Sequence, residues 1–306
     1  MPEDLRLYPV KHGDKWGYMA PTDQISIPPT YEAAAFFHEG RALVRANAKV
    51  GYIDTKGAWA IPAIFDDSFG FQSGLAVVRQ GEFWGFINPA GATVIPLRFL
   101  FAAPHSEGFA RVHIDGKWGY IDLKGDVVIP PQFDWSGDFF DGLARVQTIG
   151  KALVTFFINS AGKKAFTSTF QNAEDFANGL APVFHNGLWG VINQKGHQVI
   201  EFAYEEIGAY AAQAMPFRTK ESKWGFMNQK GDVVIPAIYD FAGNFAEDLA
   251  RVAKGSRFGF IDPLGQMVIP PAYDYAEDFV LGMAPVQKGD IFGYVRKDGR
   301  FVAPLF

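Results

Sequence analysis

The chain has 306 residues, of which 48% are hydrophobic and 20% charged, a balance that supports a large core and excludes a disordered polypeptide. Its 28 basic and 33 acidic side chains give a formal net charge of −5, so we expect no general attraction to nucleic acid or to an anionic membrane. Cysteine is absent, which excludes disulfides, thiolate nucleophiles and cysteine-ligated metals.

The N-terminal segment has no basic region followed by an apolar one, so a secretory signal is not expected. No apolar run approaches the roughly 20 residues that a membrane helix needs. A cytoplasmic location, without membrane association, is therefore the expectation.

A repeat of about 34 residues runs through the chain, and it organises every other feature. Its reference point, called position 0 below, is the second residue of a Trp-Gly pair. The nine residues at position 0 are Gly17, Gly51, Gly85, Gly119, Phe156, Gly190, Gly225, Gly259 and Gly293. We predict one array of nine units over residues 1–306, with no segment left over for a separate catalytic domain.

Each unit contains three short segments that are typical of β strands, in the order LARV, KWGYID and VVIP. Asp or Asn at position +3 and Gly at +6 predict a tight turn between the second and third strands. Proline at +11, present in seven of nine units, predicts that the third strand ends there or lies at a sheet edge. The next dozen residues are predicted to be a loop, so each unit forms a three-stranded antiparallel meander.

Aromatic residues concentrate at positions −1, +1, +14 and +20, which hold 30 of the 48 aromatic side chains. This regularity predicts core packing. Because the strands are apolar on both faces, each sheet must be covered on both sides, and the neighbouring sheets are the expected cover.

Two arrangements can provide that cover, a closed propeller-like ring and an open β-solenoid. A solenoid needs polar caps, yet the first unit contains Leu7, Tyr8 and Val10, and the last contains Phe301 and Val302. Nine blades exceed the usual range of about four to eight, which argues for the open stack. The apolar ends narrowly favour the ring.

The segments GKWGYIDLKGDVVIPPQFDWSGDFFDGLARV (116–146) and KWGFMNQKGDVVIPAIYDFAGNFAEDLARV (223–252) resemble the WG repeat, also called the KWG repeat, which is common in bacterial proteins. The resemblance covers essentially the whole chain. It implies a β-rich array that acts in binding, and it brings no catalytic residues. The fifth unit departs from the pattern by lacking the WG pair and the proline, and the sixth has Glu201 in place of the proline, so their hairpins are less regular by expectation.

The sequence contains no motif that marks catalytic, cofactor or metal residues. The six histidines have no ligand spacing, and no phosphate loop or nucleophile elbow is present. Arg111, Arg145 and Arg251 share position +26, and we expect ion pairs between adjacent units there. Three other units have proline at this position, namely Pro182, Pro216 and Pro285. An acidic residue recurs at +15, and either it caps a local loop or the set forms a surface for a cation or a basic partner. The acidic residues at +15 are Glu32, Asp66, Asp134, Glu205, Asp240 and Asp274.

Three functions are compatible with this pattern. The favoured hypothesis is a non-enzymatic scaffold for a protein or peptide, for which the irregular sixth unit provides the candidates Tyr210, Arg218, Lys220 and Glu221. The first alternative is a glycan-binding module, in which Trp59 and Trp135, outside the WG position, would stack on sugars. The second alternative is a hydrolase whose site lies in the ring channel, where acidic or His side chains from several units would converge in one pocket.

Overall fold

The computed structural model describes residues 6–150, 152–212 and 214–303. Within these ranges the regular structure consists of nine small antiparallel sheets and no helix, and consequently none that could cross a membrane. Every sheet joins its strands in chain order. The sheets are the blades of a β-propeller, which confirms the all-β fold and the preference for a propeller over an open solenoid.

The chain forms two compact units, and the boundary between Asp134 and Trp135 coincides with the junction between two sheets. The first unit contains sheets 1 to 4. Their strands are β1 (Tyr8–His12), β2 (Lys15–Met19) and β3 (Ile25–Tyr31); β4 (Ala33–His38), β5 (Arg41–Ala46), β6 (Lys49–Ile53) and β7 (Trp59–Phe65); β8 (Asp67–Ser68), β9 (Ala76–Gln80), β10 (Phe83–Ile87) and β11 (Thr93–Phe99); and β12 (Phe101–Ala102), β13 (Ala110–Ile114), β14 (Lys117–Ile121) and β15 (Val127–Phe133).

The second unit contains sheets 5 to 9. Their strands are β16 (Trp135–Phe140), β17 (Leu143–Ile149) and β18 (Leu153–Asn159); β19 (Asn172–Ala173), β20 (Leu180–His185), β21 (Leu188–Asn193) and β22 (Gln198–Tyr204); β23 (Glu206–Ile207), β24 (Met215–Arg218), β25 (Trp224–Met227) and β26 (Val233–Tyr239); β27 (Phe241–Ala246), β28 (Leu249–Lys254), β29 (Arg257–Ile261) and β30 (Met267–Tyr273); and β31 (Tyr275–Ala276), β32 (Met283–Lys288), β33 (Ile291–Arg296) and β34 (Phe301–Val302). The single-array description of residues 1–306 stays a prediction.

The segment that connects successive repeats is more regular than the sequence suggests. It supplies an additional first strand, such as β8 or β12, to the sheet that follows, so seven of the nine sheets in the described ranges have four strands. The prediction of a loop here is therefore wrong. These strands pair over few residues, for example Asp67 with Arg79 and Ser68 with Val78, which leaves little periodicity to detect.

The glycine of each WG pair is needed for close backbone approach. Opposite Gly119, strand β15 bulges between the pairs Trp118–Phe133 and Tyr120–Ile129. A Cβ atom at Gly119 would lie 2.6 Å from the carbonyl oxygen of Ile129, so a side chain would force the two strands apart. The proline of the third strand lies within this bulge on the sheet edge, as the edge prediction required.

The turn at positions +3 to +6 forms as predicted. In sheet 2, Asp54 Oδ1 accepts hydrogen bonds from the backbone N–H groups of Lys56 and Ala58, both 2.9 Å long, and Gly57 has φ +82°. A Cβ at Gly57 would lie 3.1 Å from the Ile27 side chain of the preceding sheet. The turn glycine thus lets one sheet pack closely against the next.

Neighbouring sheets cover each other's apolar faces, as the sequence predicts. A ring at position +1 packs on a ring at +20 of the following sheet, and the centroids lie about 5 Å apart. The pairs are Tyr18–Phe37 at 4.9 Å, Tyr52–Phe71 at 4.8 Å, Phe86–His105 at 4.9 Å, Phe157–Phe176 at 4.8 Å, Phe226–Phe245 at 5.0 Å and Phe260–Phe279 at 4.9 Å. The aromatic excess is therefore used in the core.

The two irregular repeats have different outcomes, because the fifth has the irregular hairpin that the sequence predicts and the sixth does not. In sheet 5, Phe156 replaces the glycine at position 0. Among the described residues that follow β18, Lys164 and Phe170 each form an isolated bridge to this strand, with Ile158 and Thr155 respectively, and no third strand pairs with it. The side chain of Phe156 excludes the close bulge that glycine permits. In sheet 6, by contrast, β22 is a full seven-residue strand that includes Glu201, so this hairpin keeps its regular form.

Candidate functional site

Arginine side chains join adjacent sheets in the second unit, which confirms the prediction for two of the three arginines at position +26. Arg145 of sheet 5 donates from Nε to Asp175 Oδ1 of sheet 6, at 2.7 Å, and from Nη1 to the Ala173 carbonyl. Arg251 of sheet 8 makes the corresponding contacts in sheet 9, where its Nε forms an ion pair with Asp278 at 3.0 Å and its Nη1 donates to the Ala276 carbonyl at 2.7 Å.

Three repeat positions form this arrangement together. The guanidinium lies over an aromatic ring at +16 of its own sheet, 5.0 Å from the Trp135 centroid for Arg145 and 5.2 Å from Phe241 for Arg251. Gly137 and Gly243 at +18 leave room, because a Cβ there would lie 3.0 Å from the arginine side chain. We call the space that each arginine fills the guanidinium slot.

Sheets 6 and 7 have proline at the arginine position, Pro182 and Pro216, and a cavity of about 590 Å³ opens beside them. It lies entirely within the second unit. Its walls are formed by Phe140, Glu174, Asp175, Phe176, Ala177, Trp189, Glu205, Glu206, Ile207, Gly208, Ala209, Arg218 and Asn244. We call this cavity the acidic pocket. Its volume is within the range of about 300–1,000 Å³ that is usual for ligand sites.

Four carboxylates and one guanidinium line the acidic pocket. Arg218 Nη2 lies 3.3 Å from Glu206 Oε2, and Arg218 Nη1 lies 3.8 Å from Glu205 Oε2. The Arg218 Nε atom is buried and makes no hydrogen bond to any described residue. Arg218 thus serves Glu205 and Glu206, while Arg145 of sheet 5 serves Asp175 and Glu174 from outside the pocket wall. Four carboxylates face two guanidinium groups, which leaves an excess of negative charge.

The environment of Glu174 disfavours ionisation of its carboxyl group. Burial raises its pKa, and the neighbouring carboxylates of Asp175 and Glu206 raise it further. Arg145 opposes this effect, with Nη1 lying 3.8 Å from Glu174 Oε2. A cation placed between Glu174 and Glu206 would relieve the repulsion.

The structure brings one of the four loop candidates into the pocket. Arg218 lines it, whereas Lys220 and Glu221 lie on the exposed turn between β24 and β25. Tyr210 is half-buried and packs against the core between sheets 6 and 7, at the aromatic position +20. Its expected ring partner at +1 is Val191, so this repeat lacks the usual pair of rings.

The two tryptophan candidates differ in accessibility. Trp59 on β7 has 45% of its surface exposed, with its ring edge-on to Tyr31 at 5.9 Å. Trp135 on β16 is half-buried beneath the Arg145 guanidinium. The Trp135 side chain therefore supports the guanidinium slot of sheet 5.

Acidic residues at +15 accept hydrogen bonds from backbone N–H groups of the hairpin that follows them, as at Glu32, Asp66, Asp240 and Asp274. Asp240 accepts from the Gly255 N–H at 2.6 Å and from Lys223 Nζ at 2.5 Å, so the lysine of KWG pairs with the aspartate that caps the next hairpin. Glu205 is the exception, because it faces Arg218 in the acidic pocket. Across the residues that the structure describes, no three His, Asp or Glu side chains cluster to hold a metal ion.

Glu174 and Glu206 are not predicted from the sequence. Their proximity depends on how sheets 6 and 7 pack, which repeat spacing alone does not give. A signal was nevertheless present, because in sheet 6 the loss of arginine at +26 coincides with the change from glycine to Glu174 at +18.

Comparison with known proteins supports the fold and the family. The designed protein Ika8, of known crystal structure, aligns over 98% of this chain and 99% of its own, with 12% identity and a TM-score of 0.53. Weaker similarity is found to BamB from Moraxella catarrhalis, with 12% identity, 87% and 93% coverage and a TM-score of 0.46. Sqt1 from Saccharomyces cerevisiae shows 10% identity, 85% and 91% coverage and a TM-score of 0.45.

No curated protein matches the sequence significantly. The family described as "WG containing repeat" matches residues 16–49, 51–82, 84–118, 118–151, 156–189, 189–212, 224–257 and 258–290. These eight segments cover most of the chain and follow the repeat deduced above. The chain therefore belongs to the WG-repeat family.

Proposed function

We propose that this protein is a non-enzymatic binding scaffold for a protein or peptide partner. β-Propellers commonly serve as protein-interaction scaffolds, which makes this the first function to consider for the fold. The recurring positions of the repeat are used for turns, bulges and inter-sheet packing. Binding residues are expected where the repeat varies.

The observation that carries the proposal is the acidic pocket. It opens where sheets 6 and 7 depart from the repeat, and it combines unbalanced carboxylates with the aromatic walls of Phe140, Phe176 and Trp189. Phe140 has 40% of its surface exposed at the pocket wall. Aromatic and charged groups of this kind are typical anchors in protein interfaces.

A photo-crosslinking experiment tests the scaffold. A photoreactive phenylalanine replaces Phe140 in the full chain, and Val128, which is 41% exposed and outside the pocket, is the control position. We expect adducts with one or a few proteins at position 140 only, and the purified partner should then bind the purified chain. Identical adduct patterns at both positions would contradict a partner site at the pocket.

A hydrolase is the second candidate, because acidic side chains from two repeats line the acidic pocket, although the sequence hypothesis placed the site in the ring channel. Glu174, with its raised pKa, would be the proton donor, and Glu206 would be the ionised partner. A panel of chromogenic glycosides and esters tests this reading. Hydrolysis that is lost in Glu174→Gln would favour the hydrolase over the scaffold, and no turnover of any substrate would remove it.

Glycan binding is supported only by the exposed Trp59, whose ring could stack on a sugar face. A glycan array with the intact protein and with Trp59→Ala tests this reading. Binding that disappears in the variant would support it, and a silent array would end it.

A further inference from the structure

The guanidinium slots of the second unit show what the acidic pocket lacks. In sheets 5 and 8, the slot is filled by an arginine of the chain itself, Arg145 or Arg251. That arginine contacts two positions of the following sheet, the carbonyl at +17 and the aspartate at +19. The repeat therefore has a defined place for a guanidinium group between successive sheets.

The corresponding place between sheets 6 and 7 lies in the acidic pocket. The residues at +17 and +19 of sheet 7 are Ile207 and Ala209, and both line it. The residue that would fill the slot is Pro182, which carries no cation. The pocket thus occupies the position where neighbouring sheets hold an arginine.

Sheets 6 and 7 have carboxylates around the slot position, where sheet 5 has a positively charged arginine. Sheet 5 has Trp135, Gly137 and Arg145 at positions +16, +18 and +26, whereas sheet 6 has Asn172, Glu174 and Pro182. At +16 of sheet 7, Glu206 adds a second carboxylate to the pocket. Position +26 of sheet 6 therefore provides no cation, and two carboxylates line the place. Each is only partly compensated, because Arg145 lies 3.8 Å from Glu174 and shares its charge with Asp175, and Arg218 lies 3.3 Å from Glu206 and shares its charge with Glu205.

We propose, on the basis of the proposed scaffold function, that the acidic pocket binds an arginine side chain presented by a protein partner, with Glu174 and Glu206 as the acceptors of its guanidinium group. The planar guanidinium can bond to two carboxylates at once, which a lysine ammonium does less effectively. Trp189 in the pocket wall offers a ring for the cation, as Trp135 does for Arg145. The cavity also has room for the backbone that carries the arginine.

A peptide titration tests the inference with the intact protein. The probes are acetyl-Gly-Gly-Arg-Gly-Gly-amide and the same peptide with citrulline, which keeps the shape of arginine but is uncharged. The readout is the indole N–H signal of Trp189 in the NMR spectrum. We expect a saturable shift with the arginine peptide and at least about tenfold weaker binding with citrulline, since one charged hydrogen bond contributes that much.

Variants identify the acceptors. Glu174→Gln and Glu206→Gln each remove a charge with little change in shape, and we expect each to weaken binding of the arginine peptide by about tenfold. Glu277→Gln is the matched control for Glu174→Gln. Glu277 has the repeat position of Glu174, +18, in sheet 9, but it lies outside the pocket and accepts a hydrogen bond from the Tyr275 hydroxyl at 2.9 Å. It should bind the peptide as the unaltered chain does.

Equal binding of the arginine and citrulline peptides, or no shift of the Trp189 signal with either, would overturn the inference without any variant. If Phe140 crosslinking still identifies a partner in that case, the scaffold function stands and only the arginine specificity fails. If crosslinking also finds no partner at position 140, both proposals fail.

Discussion

The guanidinium of Arg145 in sheet 5 binds the carboxylate of Asp175 in sheet 6, with 2.7 Å between Nε and Oδ1. The same guanidinium donates to the Ala173 carbonyl and lies over the Trp135 ring. A single side chain therefore connects two sheets by charge, by a main-chain hydrogen bond and by ring contact.

Replacing Arg145 with methionine should lower the free energy of unfolding by about 1–3 kcal/mol, because half-buried acceptors lose their charged donor. Urea unfolding followed by tryptophan fluorescence measures the change. The control is Asp67→Asn, which removes the surface contact to Arg79 at 3.9 Å and should cost less than about 1 kcal/mol. Equal effects of the two substitutions would contradict the connecting role of Arg145.

Gly119→Ala should destabilise the first unit by about 1–3 kcal/mol, because the new Cβ forces a well-packed pair of strands apart. The glycine has an ordinary negative-φ strand conformation, so the effect reports close approach alone. Gly70→Ala is the control, since a Cβ there would meet only His38, at 3.7 Å. A stable Gly119→Ala protein would show that the WG glycine has another purpose.

Tyr52→Phe should cost about 1 kcal/mol of unfolding free energy, because the hydroxyl donates to the Phe69 carbonyl at 2.7 Å and contacts Ser68. Burial raises the pKa of Tyr52 to about 12. The native state therefore keeps the phenol proton that the unfolded chain loses near pH 10, and stability should fall as the pH rises from about 10 to 12.

The Tyr52→Phe protein should lack this part of the alkaline loss, which urea unfolding at several pH values measures. Tyr275→Phe is the control for the cost of the lost hydroxyl, because the Tyr275 hydroxyl donates to the exposed Glu277 carboxylate and not to a buried carbonyl. A Tyr275→Phe protein with the same cost as Tyr52→Phe would refute the buried hydrogen bond as the cause.

His105 should make the first unit sensitive to mild acid. It is buried at the +20 position between sheets, its Nε2 contacts the Asp122 carbonyl at 3.1 Å, and burial lowers its pKa. The unfolded chain therefore binds a proton near pH 6.5 that the native state resists. Stability should decrease as the pH falls below about 6.5.

His105→Phe restores the ring that other repeats have at this position, and it should flatten the stability profile between about pH 7.5 and 5.5. An unaltered profile in the His105→Phe protein would exclude this histidine as the source of acid sensitivity.

Local chemistry made much of the fold predictable from the sequence. The turn at Asp54 and Gly57 depends on residues within five positions of each other, and the ring pairs follow the repeat period. The first strands were missed because segments such as Asp67–Ser68 are too short and too polar to show alternation. Their position is fixed by pairing with the longer strand beside them.

The site was only partly predictable, for a similar reason. Irregularity of the sixth repeat drew attention to Arg218, and the structure places this residue in the wall of the acidic pocket. Glu174 and Glu206 are 32 residues apart and meet only through the packing of two sheets. An ion pair from Arg145 to the adjacent unit could be inferred from the sequence. The cavity beside sheet 6, which has Pro182 at the same repeat position, could not.

The outermost strand of most sheets carries a proline within its bulge, and this has a consequence for solubility. A free strand edge can recruit a strand from another molecule, and a chain with many such edges could polymerise. Proline provides no N–H for that pairing, and Glu201 puts a charge at the same point of sheet 6. The bulge that accommodates the WG glycine thus also helps to keep separate copies of the protein from joining edge to edge.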